Sequence, residues 1–274
     1  MNPAPAPLVV KLGGRALETA AAVAELATDL SRLPGPAILV HGGGAEVSGW
    51  CERLGITPRQ IDGLRVTEAA TLDVVVAVLA GLANKRLVAG LRHAGLDAVG
   101  LAALDGGLIA CSPHPVAALG HVGLPRAANL DLVRGLCDAG YVPVIASIGA
   151  LDGELINLNA DDVAATIAAA AGARDLVMLS DTPGLVLEGR GVRQLDADAL
   201  NGALSHPDVS GGMLAKLRSI ARALEHGVVR IHVGTWNGPG TLNRAFSSDW
   251  EGTQIGALPM TPSRDREPAA LEVR

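Results

Sequence analysis

Residues 8–44 read LVVKLGGRALETAAAVAELATDLSRLPGPAILVHGGG, and this stretch decides the fold class. Two short apolar runs, residues 8–12 and 37–40, each stop at glycines: Gly13-Gly14 after the first and His41-Gly42-Gly43-Gly44 after the second. Continuous apolar runs of this length are what strands buried on both faces of a parallel sheet require. Between them Val23, Leu26, Leu30 and Leu33 recur at helical spacing, which predicts a helix over residues 18–33 with one apolar face. The result is a β-α-β unit. The alternation continues outward, with helices expected over residues 47–54, 69–82, 85–94 and 130–139 and strands over 98–102 and 142–147. The fold class is α/β.

A second block of the same kind follows residue 173. Strands are expected at residues 176–179, 185–187 and 229–233, and a short helix at 196–204. Met213, Leu217, Ile220, Ala221 and Leu224 predict an amphipathic helix over residues 212–226 that ends at Gly227. No linker composition separates the blocks, so the two halves are expected to share or abut one sheet. Beyond Pro259 the chain is rich in Pro, Ser, Arg and Glu, and residues 259–274 are expected to form a disordered tail.

Composition excludes several functions. The chain has 274 residues, 49% of them hydrophobic, and a formal net charge of -6. An acidic chain lacks the basic footprint of a nucleic-acid binder. Cys51, Cys111 and Cys137 are far apart, with no Cys-x-x-Cys pair, so neither a disulfide framework nor a structural zinc site is indicated. The longest stretch without a charged residue, 106–125, is broken by prolines, which unfits it for a bilayer. Residues 1–7 hold no basic segment, so no secretory signal is expected. A soluble, cytoplasmic protein with no membrane or nucleic-acid partner is expected.

Of the 22 basic residues only three are lysines, Lys11, Lys85 and Lys216. Arginine replaces lysine freely on a solvated surface, but not where a compact ammonium must approach a crowded charge. Two of the three stand beside glycine pairs, in Lys11-Leu12-Gly13-Gly14 and in Gly211-Gly212-Met213-Leu214-Ala215-Lys216. Glycine turns after strands and helix N-termini are where α/β proteins bind phosphates. Lys216 is placed in the first turn or so of its helix, where unpaired amides and the helix dipole also attract an anion. Neither a P-loop nor a dinucleotide fingerprint is present, so a nucleotide would be bound by another design. Asn157-Leu158-Asn159-Ala160-Asp161-Asp162 precedes a helix predicted over residues 163–171. Helix capping accounts for Asn159, Asp161 and Asp162 and leaves Asn157 unexplained; an aspartate orienting two lysines is the functional alternative.

Taken in order, Lys11 to Gly14, His41 to Gly44, Asp62-Gly63-Leu64-Arg65-Val66-Thr67, Gly120-His121-Val122-Gly123, Asn157 to Asp161 and Gly212 to Lys216 resemble the acetylglutamate kinases of the amino-acid kinase superfamily. The resemblance runs over about residues 8–256 and implies a three-layer sandwich around a central, mainly parallel eight-stranded sheet. It also implies an N-terminal lobe, residues 1–173, for N-acetyl-L-glutamate binding and dimerisation, and a C-terminal lobe, residues 174–258, for ATP. Lys11 and Lys216 would take the transferring phosphoryl group, and Asp161 would orient both. Gly43, Gly44, Arg65 and Asn157 would hold the acceptor. Gly13, Gly14, Asp181, Gly184, Leu185, Ser210, Gly211, Gly212 and Met213 would meet the nucleotide, with Mg2+ carried by its phosphates and no metal site of the protein's own. A carboxylate acceptor is already a nucleophile at neutral pH, so no catalytic histidine is required. His41 and His121 are read as structural hydrogen-bonding residues, and Lys85 is left without a role.

Arginine-inhibited members of that family carry an extra N-terminal helix that joins dimers into a hexamer. Residues 1–7, with three prolines at alternate positions, cannot form it. A homodimer insensitive to arginine is therefore expected. A kinase for carrier-protein-bound glutamate or aminoadipate, and a catalytically silent amino-acid sensor of the same fold, are the competing readings.

Overall fold

The computed structural model describes residues 6–13 and 19–256. Gly14 and residues 259–274, on which expectations above fall, lie outside the described residues, as do residues 1–5. The central sheet has eight strands: β1 (Leu8–Leu12), β2 (Ala37–His41), β3 (Ala98–Ala102), β4 (Val142–Ala146), β5 (Asp175–Ser180), β6 (Gln194–Leu195), β7 (Arg230–Thr235) and β8 (Thr253–Gly256). Their order across the sheet is β6-β8-β7-β5-β1-β2-β4-β3. Neighbours are parallel except β7 and β8, which run antiparallel. Both faces are covered. Val9, Ile38, Ile145, Met178 and Ile231 enter one core, while the adjacent residues on four of those strands, Val10, Leu39, Val144 and Val177, enter the other. This is why the strands read as unbroken apolar runs, and each such side chain contributes about 1.5–3 kcal/mol on burial.

The longer helices are α1 (Ala20–Ser31), α2 (Gly44–Arg53), α3 (Ala69–His93), α4 (Asp131–Asp138), α5 (Ala160–Ala170), α6 (Ala197–Leu204) and α7 (Gly211–Glu225). Thr19, Asn159 and Asp196 cap α1, α5 and α6 through side-chain oxygens. Helix α7 ends where expected, at Gly227 with φ 96°. The two helices expected at 69–82 and 85–94 are one, continued through a π-helical stretch at Ala77–Ala83. By length and composition α3 could cross a membrane, but Asn84 within it is wholly buried and bonded to the Val144 carbonyl of the central sheet.

Two features escaped the periodicity. A four-stranded sheet of Ile109–Pro113, Val122–Ala128, Glu154–Leu158 and Ile148–Leu151 lies beside the main one. A hairpin of Gln60–Ile61 and Leu64–Arg65 turns at Asp62 and Gly63, both with positive φ, the conformation that a two-residue hairpin turn demands.

The chain starts in the middle of the sheet. From β1 it passes to β2, then to β3 at one edge and back to β4 between them; it next crosses to β5 on the other side of β1, after which β6 takes the far edge and β7 and β8 fill the positions between. The two halves expected from sequence therefore share one sheet. The crevice beyond the carboxyl ends of β1 and β5, where the direction of winding reverses, is the place where doubly wound folds bind ligands.

Candidate active site

Lys11 is the fourth residue of β1 and Gly13 lies just beyond the strand's end. The Gly13 amide donates to the Leu179 carbonyl of β5 at 2.8 Å, so it is committed to the sheet. What Gly13 supplies is space, because a Cβ there would collide with the Lys11 Nζ. The ammonium turns instead to Asp161, in the first turn of α5, whose Oδ1 lies 2.9 Å away. Lys216 donates to Asp161 Oδ2 at 2.8 Å. One carboxylate thus bridges two lysines contributed by opposite halves of the chain, with all three side chains at most 10% exposed.

Burial alone would raise the Asp161 pKa, but the two ammoniums outweigh it and hold the carboxyl well below its ordinary range. Burial draws Lys216 down from its ordinary value, with Asp161 opposing and Lys11 assisting that shift. Lys216 is the sixth residue of α7, just beyond the unpaired first turn, and it reaches the site by its long side chain, not through the dipole at its own backbone.

Above this bridge is a cavity of about 260 Å³, lined by Lys11, Gly43, Gly44, Arg65, Asn157, Asp161 and Gly212 among others. The amino ends of α2, α5 and α7 all open onto it, at Gly44, Ala160 and Gly212, and each brings unpaired amides and the positive end of a helix dipole. Among the described residues Asp161 is the sole carboxylate of the lining, against Lys11 and Arg65. The cavity is built for an anion.

The hairpin carries Arg65 into the wall. Its Nη2 donates to the Gly44 carbonyl at 2.7 Å and to Ser48 Oγ at 2.8 Å, while Nη1 is buried with no partner. A buried guanidinium nitrogen left unpaired is ready for an anionic ligand, since its fork suits a carboxylate. Asn157 donates from Nδ2 to Thr67 Oγ1 at 3.0 Å, and Thr67 donates in turn to the Arg65 carbonyl at 3.0 Å. Thr67, wholly buried, lies within a motif quoted above but was assigned no role there. Gln60 and Ser147 also line the cavity and carried no sequence signal. Gly43 and Gly44 differ: a Cβ at Gly43 would press on Leu79, whereas Gly44 faces open space.

The residues expected to meet the nucleotide are dispersed. Gly212 reaches the cavity, and Ser210 stands at the N-cap of α7 with Gly211 next to it at φ 51°. Gly63 of the hairpin packs so tightly on Gly211 and Gly212 that a Cβ would collide with their backbone, which ties this helix end to the N-terminal half of the chain. Met213 packs against the core. Asp181 is exposed just past β5. The Leu185 side chain is in the core and its amide is taken by Thr253 Oγ1 at 2.8 Å; Gly184, at φ 138°, leaves room for that same hydroxyl.

Known proteins resemble this chain in sequence and in fold. The model of the amino acid kinase family matches residues 6–235. The acetylglutamate kinase of Methanopyrus kandleri is 43% identical over 86% of this chain and 99% of its own length. That of a Roseiflexus species is 40% identical over 81% and 85%. Among solved structures, an N-acetylglutamate synthase from Neisseria gonorrhoeae, complexed with coenzyme A and N-acetyl-glutamate, superimposes with a TM-score of 0.79 at 25% identity, covering 93% of this chain and 60% of that one. An isopentenyl phosphate kinase of T. acidophilum shares the fold at 15% identity, with a TM-score of 0.63 over 91% of this chain and 99% of that one. The chain belongs to the amino acid kinase family and, within it, to the acetylglutamate kinases.

Proposed function

We propose that the chain transfers the γ-phosphoryl group of ATP to the side-chain carboxylate of N-acetyl-L-glutamate, giving N-acetyl-L-glutamyl 5-phosphate and ADP. The observation that carries this reading is the Lys11–Asp161–Lys216 bridge, whose Lys11 and Asp161 line an anion-binding cavity. The acceptor is ionised at pH 7, so the barrier is repulsion between two anions and not a proton transfer. A unit charge about 4 Å away is worth about 4 kcal/mol at an effective dielectric of about 20. Two ammoniums placed beforehand can therefore offset much of that repulsion in an in-line transfer. Asp161 keeps the pair together and fixes where each points.

Arg65, through its unpaired Nη1, and Asn157 hold the acceptor's other carboxylate, and Gly43 and Gly44 shape the pocket around it. The amino end of α7, residues 210–213, with Asp181 and the turn at Gly184, lies on the nucleotide side, which assigns residues 1–173 to the acceptor and 174–258 to ATP. Mg2+ enters as part of the nucleotide substrate, carried by its phosphates. The enzyme works as a cytoplasmic homodimer; the support is α3, an apolar helix with only a third of its most apolar stretch buried within the chain, which leaves a face for a second copy.

Hydroxylamine converts an acyl phosphate into a coloured hydroxamate. With Mg·ATP and a panel of acidic amino acids, N-acetyl-L-glutamate should give the highest yield. A high yield from another acid and none from N-acetyl-L-glutamate would overturn the substrate, and none from any acid would favour a silent sensor.

A further inference from the structure

His41, Asn84 and Lys85 have no part in the roles just assigned, yet they form one connected chain that ends at the cavity. His41 closes β2 and is 4% exposed; Asn84 is wholly buried where the π-helical stretch of α3 returns to α-helix. Asn84 Nδ2 lies 2.9 Å from the Val144 carbonyl, 3.4 Å from the Leu101 carbonyl and 3.0 Å from His41 Nε2. Its Oδ1 accepts from the Lys85 ammonium at 3.0 Å, and that ammonium also donates to the Gly100 carbonyl at 3.3 Å. Across the imidazole, His41 Nδ1 is 3.0 Å from the Gly42 carbonyl.

These partners settle where the protons are. A carbonyl only accepts and an ammonium only donates. The Asn84 amide can therefore stand in one way, with its NH2 toward Val144 and its oxygen toward Lys85. The NH2 then donates to His41 Nε2, so Nε2 is bare and the ring proton is on Nδ1, where it donates to the Gly42 carbonyl. A second proton on Nε2 would oppose two donors, and burial independently draws the His41 pKa below its ordinary value. The ring is thus neither acid nor base.

The Gly42 carbonyl shares a rigid plane with the Gly43 N–H, which points the opposite way. Gly42, Gly43 and Gly44 all line the cavity. Gly100 marks how closely the chain is packed, since a Cβ there would collide with Asn84 Oδ1 and crowd the Lys85 Nζ.

We propose that Asn84, braced by Lys85, is a positioning residue that holds His41 as the neutral Nδ1–H tautomer, and that this tautomer aims the Gly43 amide at the anionic acceptor. The functional consequence rests on the acceptor reading above and deepens it, whereas the tautomer does not depend on it.

Two measurements test the proposal. In protein labelled with 15N at histidine, His41, assigned by the signal lost in His41→Asn, should show a protonated Nδ1 and a bare Nε2 at neutral pH without substrate. Asn84→Asp, which accepts where the amide donated, should place a proton on Nε2. In turnover, His41→Asn keeps an N–H near the place of Nδ1 and His41→Gln does not. His41→Asn should recover about tenfold or more of the kcat/KM for the acceptor that His41→Gln loses, with the KM for ATP little changed in both. A proton on Nε2 of the unmodified protein, a bare Nε2 in Asn84→Asp, or equal turnover of the two variants would overturn the proposal. Failure of N-acetyl-L-glutamate as a substrate would instead overturn the acceptor reading and leave the spectra to decide the tautomer.

Discussion

Asp161 and Asp162 sit side by side in the first turn of α5, both less than 10% exposed, and the protein uses them in different ways. Asp161 faces the cavity and bridges Lys11 and Lys216. Asp162 faces away from it, toward Ser219 and Arg222 farther along α7. Burial pushes both carboxyls up. For Asp161 two buried ammoniums more than reverse that push. For Asp162 the single guanidinium, its side chain 46% exposed, does not, and the carboxyl stays above its ordinary value. The number and burial of the partner cations, and not burial of the carboxylate, separate a group poised for chemistry from one that fastens two helices together.

The largest expected effect breaks the comparison at Asp161. Asp161→Asn leaves two buried ammoniums without a counter-charge, which should cost about 3–5 kcal/mol in urea unfolding and lower kcat by about 10³-fold. Asp162→Asn should cost about 1–3 kcal/mol of stability and leave kcat nearly intact. Equal losses of turnover from the two substitutions would erase the distinction.

A smaller effect is expected at the acceptor end of the cavity. A lysine at position 65 cannot span Gly44, Ser48 and a ligand at once as the guanidinium fork does. Arg65→Lys should therefore raise the KM for the acceptor by about tenfold while the KM for ATP stays close to its starting value, on the scale of one lost charge-assisted bond. Steady-state kinetics in both substrates reads this directly.

The smallest effect is in pH dependence, where the two aspartates should act with opposite sign. A carboxyl whose folded pKa is depressed contributes stability that is present above its unfolded pKa, about 3.9, and lost as pH falls from there toward the folded value. Asp161 is such a group. Asp162, raised in the folded state, binds its proton more readily folded than unfolded, so its contribution improves as pH falls through its raised value. Unfolding free energy measured from neutral to acid pH should fall less steeply in Asp161→Asn and more steeply in Asp162→Asn than in the parent. Parallel curves would contradict the opposed directions.

Much of this was legible before any coordinates. The β-α-β reading of residues 8–44 succeeded because strands covered on both faces must be apolar throughout. Lys11 and Lys216 stood out because a chain that favours arginine elsewhere kept lysine beside glycine pairs. The second sheet was not legible, since Ile109–Pro113 and Val122–Ala128 carry prolines and little alternation, and such strands depend on tertiary partners for their identity. Asp161 could not be told from a helix-capping acid by spacing alone. Capping does occur there, through Asn159 Oδ1 to the Asp161 amide at 2.8 Å, and it leaves the Asp161 carboxylate to the lysines. Lys216 stands just beyond the first turn of α7, and sequence spacing does not show how far its four-carbon side chain reaches. Lys85 had no account until Asn84 and His41, distant in sequence, were seen in contact.

If the bridged lysine pair meets the phosphoryl group in flight, Lys216→Arg should show it. The substitution keeps the charge and exchanges a compact ammonium for a broad planar group in a site only 6% exposed. With the hydroxamate assay run at saturating ATP and N-acetyl-L-glutamate, kcat should fall by about 10²-fold or more, on the scale of losing one prearranged donor to developing charge. Turnover close to that of the parent would mean that Lys216 does not touch the transferring group, and would contradict the account.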